Sequence, residues 1–244
     1  MQELGKVIAK SIEDAVLRCV EGHPATSLLF SGGIDSSLLA WILKNKGCRV
    51  DLVSIALPGG ADASTAKDSA RIMGLECQIH TVSKTEILEM AKGLRQRSPA
   101  LSLNDVAIQT AMQTAISKAG NKAVLCAQGA DELFLGYAHT RDLSGSALEE
   151  RAKEDLEKLT ERDWPLAREF AASLGKDLVA PFLDDSFMSS LSAIPWDARI
   201  NISENKWLLR QAARELGLPQ DIVNRPKRAF QYGSGIYKEL KRTL

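Results

Sequence analysis

The sequence predicts an α/β fold: a parallel β-sheet with helices on both faces, followed by a helical C-terminal part. Three observations predict it. Short apolar or β-branched runs alternate with segments of helical period through the first 130 or so residues, the pattern of strand–helix–strand crossovers. Two of those runs pass directly into glycine turns with acidic residues just beyond, Ser31-Gly32-Gly33-Ile34-Asp35-Ser36-Ser37 and Gln128-Gly129-Ala130-Asp131-Glu132. From Ser146 onward the pattern changes to a dense mixture of acidic and basic residues at helical spacing.

The elements follow in order. Leu4, Val7, Ile8, Ile12, Ala15, Val16 and Cys19 recur with helical period, so residues 3–20 form an amphipathic helix that Gly22-His23-Pro24 ends. Strands are expected at residues 27–30, 50–57, 77–82 and 123–127, and helices at 35–46, 63–73, 84–94 and 105–119. A sheet built this way carries its ligand crevice at the carboxyl ends of the strands, where both glycine turns lie. Residues 146–174 read as a solvated helical stretch, with Glu149, Glu150, Arg151, Lys153, Glu154, Asp155, Glu157 and Lys158 along it. Pro181 makes a rigid turn of residues 180–184, Pro195 and Pro219 break residues 185–223 into short helices, and the end is a glycine-rich loop with a basic tail. The domain reading is an N-terminal helix, 1–24, and one domain, 25–244, with a nucleotide-binding core at 25–140 and a helical part at 141–244.

Composition narrows the function classes. With 45% hydrophobic and 25% charged residues, and 31 basic side chains balanced by 31 acidic ones, the chain is that of a soluble globular protein. Zero net charge supplies no field for a polyanion, so a nucleic-acid partner is not expected. No apolar run reaches the roughly 20 residues of a membrane span, and residues 1–5 lack the basic start and apolar core of a signal segment; a cytoplasmic protein with no membrane partner is expected. Cys19, Cys48, Cys77 and Cys126 are widely spaced and read as buried free thiols, and His23, His80 and His139 have no ligand spacing to them, so a zinc site is not expected.

The first glycine turn carries the most chemistry. Gly32 and Gly33 let the backbone bend sharply and turn N–H groups toward an anion at a helix N-terminus, where the dipole also favours negative charge. Phosphate is the expected guest. The loop lacks the lysine of a Gly-x-x-x-x-Gly-Lys-Ser/Thr phosphate loop and places Asp35 there instead, which repels a phosphate unless a divalent cation lies between them. Asp131 repeats that arrangement after the fourth strand, so Asp35 and Asp131 are the expected ligands of one Mg²⁺ shared with phosphate oxygens. Near the end, Pro226 biases Arg225 toward an extended backbone, so that Arg225 and Lys227 project to the same side as a pair of cations for a polyphosphate.

These residues carry a resemblance. Ser31 to Ser37 resembles the pyrophosphatase loop of the N-type ATP pyrophosphatases, whose fold is the adenine nucleotide alpha-hydrolase-like one. Ile55-Ala56-Leu57-Pro58-Gly59 with Asp62, Gln128 to Glu132 through Gly136-Tyr137, Pro181-Phe182-Leu183-Asp184, and Arg225-Pro226-Lys227 with Phe230 are similar, in order and rough spacing, to the synthetase domain of class B asparagine synthetases. The resemblance spans about residues 25–235 and extends to β-lactam and carbapenam synthetases. It implies that a carboxylate attacks the α-phosphorus of ATP, that Mg²⁺-pyrophosphate leaves, and that ammonia or an amine captures the acyl-adenylate with loss of AMP. It also implies that Ser31, Gly32, Gly33, Ser36, Ser37, Gly129 and Arg225 hold phosphates, that backbone at Leu57 receives adenosine, and that Lys227, Asp35 and Gln128 are the catalytic positions.

Departures from the pattern shape the expected function. The glutaminase domain of class B asparagine synthetases, with its Cys nucleophile, has no counterpart in these 244 residues, so a stand-alone synthetase is expected, drawing ammonia or an amine, or a separate glutaminase chain as partner. Gln128 stands where asparagine-forming relatives carry Glu and cyclising relatives Tyr, and a neutral amide is no general base. Val179 and Asn104 stand where arginines are expected. The leading reading is a Mg²⁺-dependent, AMP-forming amide ligase of small carboxylates, with a homodimer as its possible assembly. The alternatives are an ATP- or AMP-binding regulatory module that has lost catalysis and a tRNA-modifying ATP pyrophosphatase.

Overall fold

The computed structural model describes residues 2–58, 62–201, 204–225 and 235–243. Helix α1 (Gln2–Val20) leads into the central strand β1 (Thr26–Leu29), then α2 (Ile34–Asn45), β2 (Val50–Ala56), α3 (Asp62–Ile72) and the edge strand β3 (Cys77–Thr81). Two antiparallel helices, α4 (Lys84–Arg97) and α5 (Leu103–Lys118), carry the chain back to β4 (Ala123–Leu125) on the other side of β1. All pairings are parallel and the strand order is β3-β2-β1-β4-β5, with Leu28 opposite both Leu52 and Leu125. The direction of winding therefore reverses between β1 and β4, and a crevice opens there at the strands' carboxyl ends. Both glycine turns leave strands that border it.

Period-2 alternation assigns the two faces. Leu28, Phe30, Leu52 and Leu125 point into a core completed by α1 and α2, together with α9 (Asp185–Ser192), α10 (Trp207–Glu215) and α11 (Gln220–Val223). On the other face Ile55 and Leu57 pack beneath α4, α5 and α12 (Ile236–Thr243). Val124, Cys126 and Leu178 pack beneath α5 and α8 (Trp164–Ser173). The Pro181 turn is a 3₁₀ turn, Pro181–Leu183, whose Phe182 is buried against Phe134 and Phe187 at centroid distances of 5.9 Å each.

Three expectations are corrected. A fifth strand, β5 (Asp177–Val179), pairs with β4; three residues beginning on an exposed Asp carry no alternation to detect. The charged stretch is not one solvated helix: α7 (Gly145–Lys158) and α8 are separated by a π-helical turn, Leu159–Asp163, from which Arg162 meets buried Asp105 at 3.0 Å, with Lys158 beside it at 2.8 Å. Asp155 within it is buried, held by His139 at 2.6 Å and Arg151 at 2.7 Å. All four cysteines are free, yet only Cys126 is buried; Cys19, Cys48 and Cys77 are half-buried. Among the described residues no helix is long and apolar enough to cross a membrane.

Candidate active site

At the end of β1, Phe30 still donates to Val53 O (2.8 Å), and the chain then turns through Gly32 at φ +75°. Helix α3 approaches so closely that a Cβ on Gly32 would lie 2.6 Å from Thr65 O, while Ser69 Oγ, wholly buried, donates to Gly32 O at 2.7 Å. Gly33 is the N-cap of α2 and donates to Ser31 Oγ (3.3 Å); Ser31 N in turn donates to Ser36 Oγ (3.2 Å). The hydroxyls of Ser31 and Ser36 thus close the loop on itself. Ser37 Oγ lies buried at its base without a hydrogen-bond partner among the described residues.

The second turn mirrors the first. Gly129 sits at φ +92°, where a Cβ would meet Leu183 Cδ2 at 2.8 Å, and starts the short helix α6 (Ala130–Leu133) with Asp131 in its first turn. Asp35 occupies the same place on α2. The two carboxylates come together on a residue that sequence reasoning missed. Lys206 Nζ lies 2.6 Å from Asp35 Oδ2 and 2.6 Å from Asp131 Oδ1, its side chain 1% exposed. Burial works against its charge, but Asp131 and then Asp35 hold the ammonium above its ordinary range.

Local structure aims that lysine. Lys206 adopts φ +54°, left-handed for a non-glycine residue, immediately before α10. Buried Arg210 fixes this turn by donating from Nε to Asn205 O (2.6 Å), and Asn205 Nδ2 donates to Gly136 O (3.3 Å). A Cβ on Gly136 would overlap both Asp131 Oδ1 and Lys206 Cε, so glycine there opens the path for the lysine. The one sequence signal was a lone Lys heading the apolar run Trp207-Leu208-Leu209, which reads equally well as a solvated helix start.

The remaining positions separate. Gln128 follows Cys126 onto the α5 side of the sheet, half-buried, its Nε2 donated to Met112 Sδ at 3.3 Å. Val179, which stands where an arginine is expected, packs with the α1–α2 core on the opposite face. Asn104 lies in the first turn of α5. Arg225 does not reach over the crevice as half of a cation pair: its Nη1 donates to Gly32 O (3.3 Å), Thr65 O (3.3 Å) and Ser69 Oγ, bracing the loop from behind. Lys227 and Phe230 lie outside the described residues. Leu57 turns its side chain into the core beside Ile236 and Leu240.

Glu132 is buried against Tyr137, whose hydroxyl donates to it at 2.6 Å. Burial, and then the neighbouring charge of Asp131, push its carboxyl up to about 7. Tyr137 stacks on His139 at 5.2 Å between ring centroids.

Among the described residues no group of three or more His, Cys, Asp or Glu surrounds a metal position. Two carboxylates nevertheless suit Mg²⁺ when phosphate oxygens complete its shell. Asp35 Oδ1, buried and without a hydrogen-bond partner among the described residues, is an acceptor of the right kind, so the donor set fits that ion. Cavities of ≈ 340 and ≈ 390 Å³ flank α8, lined by residues such as Leu101, Arg162, Pro165 and Glu169, and contain none of these groups.

Comparison with known proteins identifies the family. The sequence model of the asparagine synthase family matches residues 7–180 and 170–244. A protein assigned in Methanocaldococcus jannaschii as a glutamine-hydrolysing asparagine synthetase is 29% identical over 284 aligned residues, covering 99% of this chain and 52% of that protein. Asparagine synthetase 1 of Arabidopsis thaliana is 24% identical, covering 93% of this chain and 43% of that protein. The chain thus spans about half the length of these curated relatives. Among solved structures, NMN synthetase from Francisella tularensis aligns at 14% identity and a TM-score of 0.46, covering 94% of this chain and 76% of that one.

Proposed function

Because the chain belongs to the asparagine synthase family, we propose that it is an ATP-dependent amide ligase that splits ATP to AMP and pyrophosphate, activating a small carboxylate for ammonia or an amine. The observation that carries this reading is the meeting of Asp35 and Asp131, from two strand-end loops, on the buried Lys206. In this reading the N–H groups of Gly32 and Gly33 and the start of α2 receive phosphate oxygens. Ser31, Ser36 and Ser37 exchange their internal bonds for the same oxygens, and Gly129 lets the second loop approach.

Asp35 and Asp131 would hold Mg²⁺, which when bound neutralises charge that develops on pyrophosphate. Lys206 adds a fixed cation in a water-excluded place, where preorganised charge is most effective. Lys227 is assigned to the same task on the family resemblance, and backbone at Leu57 to adenosine. A substrate carboxylate oxygen bonds to the α-phosphorus as the bond to the bridging oxygen breaks; nitrogen then attacks the acyl carbon, AMP departs, and nitrogen gives up a proton. Gln128 cannot take that proton.

Incubation with ATP, Mg²⁺, ammonium and a panel of carboxylates, followed by nucleotide chromatography, tests the reading. AMP and pyrophosphate in equal amounts are expected; ADP with inorganic phosphate would overturn it. A second reading, a nucleotide-binding module without turnover, is favoured by one observation, the amide of Gln128 bonded to the Met112 sulfur. Tight ATP binding with no AMP across the whole panel selects it.

A further inference from the structure

We propose that Lys206 is a resident counter-ion that bars free divalent cations from the Asp35–Asp131 site, so that Mg²⁺ enters only together with phosphates. The inference rests on the reading of this rim as a Mg²⁺–nucleotide site. Its first support is geometric. The ammonium takes one oxygen of each carboxylate at 2.6 Å. Mg²⁺ held by the same two carboxylates would compete with the ammonium for those oxygens.

The second support is charge. Two carboxylates and one ammonium leave a single net negative charge, whereas Mg²⁺ gives up its hydration shell reluctantly and takes further anionic ligands to do so. An ammonium a few ångströms from the entering ion adds direct repulsion in a place screened from water. Phosphate oxygens reverse both terms, supplying negative charge to the metal and a replacement partner to the lysine.

Confinement is the third. Lys206 has no route to solvent, with its side chain 1% exposed and its left-handed backbone fixed through Arg210, Asn205 and Gly136. It stays on the carboxylates until another anion reaches the rim. Asp35 Oδ1, buried and with no hydrogen-bond partner among the described residues, is an acceptor left over for a metal once phosphates draw the ammonium away.

The test uses the 244-residue chain and Mn²⁺ as a paramagnetic stand-in, with protein-bound Mn²⁺ read by electron paramagnetic resonance against matched Mn²⁺–pyrophosphate samples without protein. Wild-type protein is expected to bind no stoichiometric Mn²⁺ alone, and to gain at least about tenfold in Mn²⁺ affinity when pyrophosphate is present. Lys206→Met, of similar length and no charge, is expected to bind one Mn²⁺ without pyrophosphate, at least about tenfold tighter than wild type. Adding Asp35→Asn to that variant should abolish the gain and so locate the ion. Equal Mn²⁺ affinity of wild type and Lys206→Met without pyrophosphate overturns the inference. If Lys206→Met fails to fold, as judged by circular dichroism, the wild type decides: unchanged Mn²⁺ affinity on adding pyrophosphate overturns it. Failure of wild type and variant alike to take up ATP or pyrophosphate with Mn²⁺ sinks the nucleotide-site reading as well, whereas pyrophosphate-independent Mn²⁺ binding with normal uptake of ATP sinks only the role of Lys206.

Discussion

Substituting Gly32→Ala and, separately, Gly22→Ala divides the need for glycine in the first loop into its two physical parts. Both residues have nearly the same left-handed backbone, φ +75° and +77°. Placing an L-residue there costs about 1–2 kcal/mol, partly offset by the smaller entropy of an alanine-containing unfolded chain, about 0.4–1 kcal/mol. A Cβ on Gly22 meets nothing within 4 Å, so its net loss should be on the order of 1 kcal/mol. At Gly32 the same Cβ would sit 2.6 Å from Thr65 O and 2.8 Å from Ala66 Cα, both backbone atoms of a packed helix that cannot rotate away. Forcing α3 back adds the cost of overpacking, about 1–3 kcal/mol, and strains the 2.7 Å bond from Ser69 to Gly32 O. Urea unfolding at pH 7 should therefore show Gly32→Ala destabilised by on the order of 2–4 kcal/mol, clearly more than Gly22→Ala. Calorimetric titration with ATP should show binding lost only in the first. Equal destabilisation of the two variants would refute the claim that close approach of α3 shapes this loop.

Asp35→Asn keeps the size of the side chain but removes one charge from the pair facing Lys206, and should lower metal-dependent pyrophosphate release by about 100-fold or more, measured with a coupled phosphate assay after pyrophosphatase. The carboxyl of Glu132 is raised to about 7 by burial. Its stabilising contribution is thus full below the unfolded value near pH 4.5, and is lost as pH rises through about 7. Glu132→Gln, always neutral and still able to accept from Tyr137, should gain stability relative to wild type between pH 4.5 and 8, by on the order of 1–3 kcal/mol in urea melts; a constant difference across that range would contradict the assignment. Arg199 is buried, lowered to about 10 by burial, and donates to Leu191 O and Ile194 O at 2.8 Å each and to Leu133 O at the end of α6. Arg199→Lys cannot satisfy three diverging carbonyls and should cost about 2–3 kcal/mol in thermal or urea denaturation.

By itself the sequence determined the alternation of strands and helices, the two glycine turns and the acidic residue behind each. Those features are local: hydrophobic period, turn chemistry and a strand-to-helix junction are written within a few consecutive residues. Only the tertiary structure decided what the turns do for one another. Asp35 and Asp131 lie 96 positions apart and meet because winding reverses between β1 and β4. Lys206 joins them from a further 75 positions along, and its local sequence, a lysine before an apolar helix, is that of an ordinary solvated helix start. Its burial follows from the packing of α10 against α1, from the left-handed turn that Arg210 holds, and from the space that Gly136 leaves free. Arg225 illustrates the same physics in reverse. Its neighbours in sequence suggested a cation for phosphate, but the approach of α3 to Gly32 offers its guanidinium two carbonyls and a hydroxyl first. A charge settles where partners converge in space, and sequence spacing carries no record of that convergence.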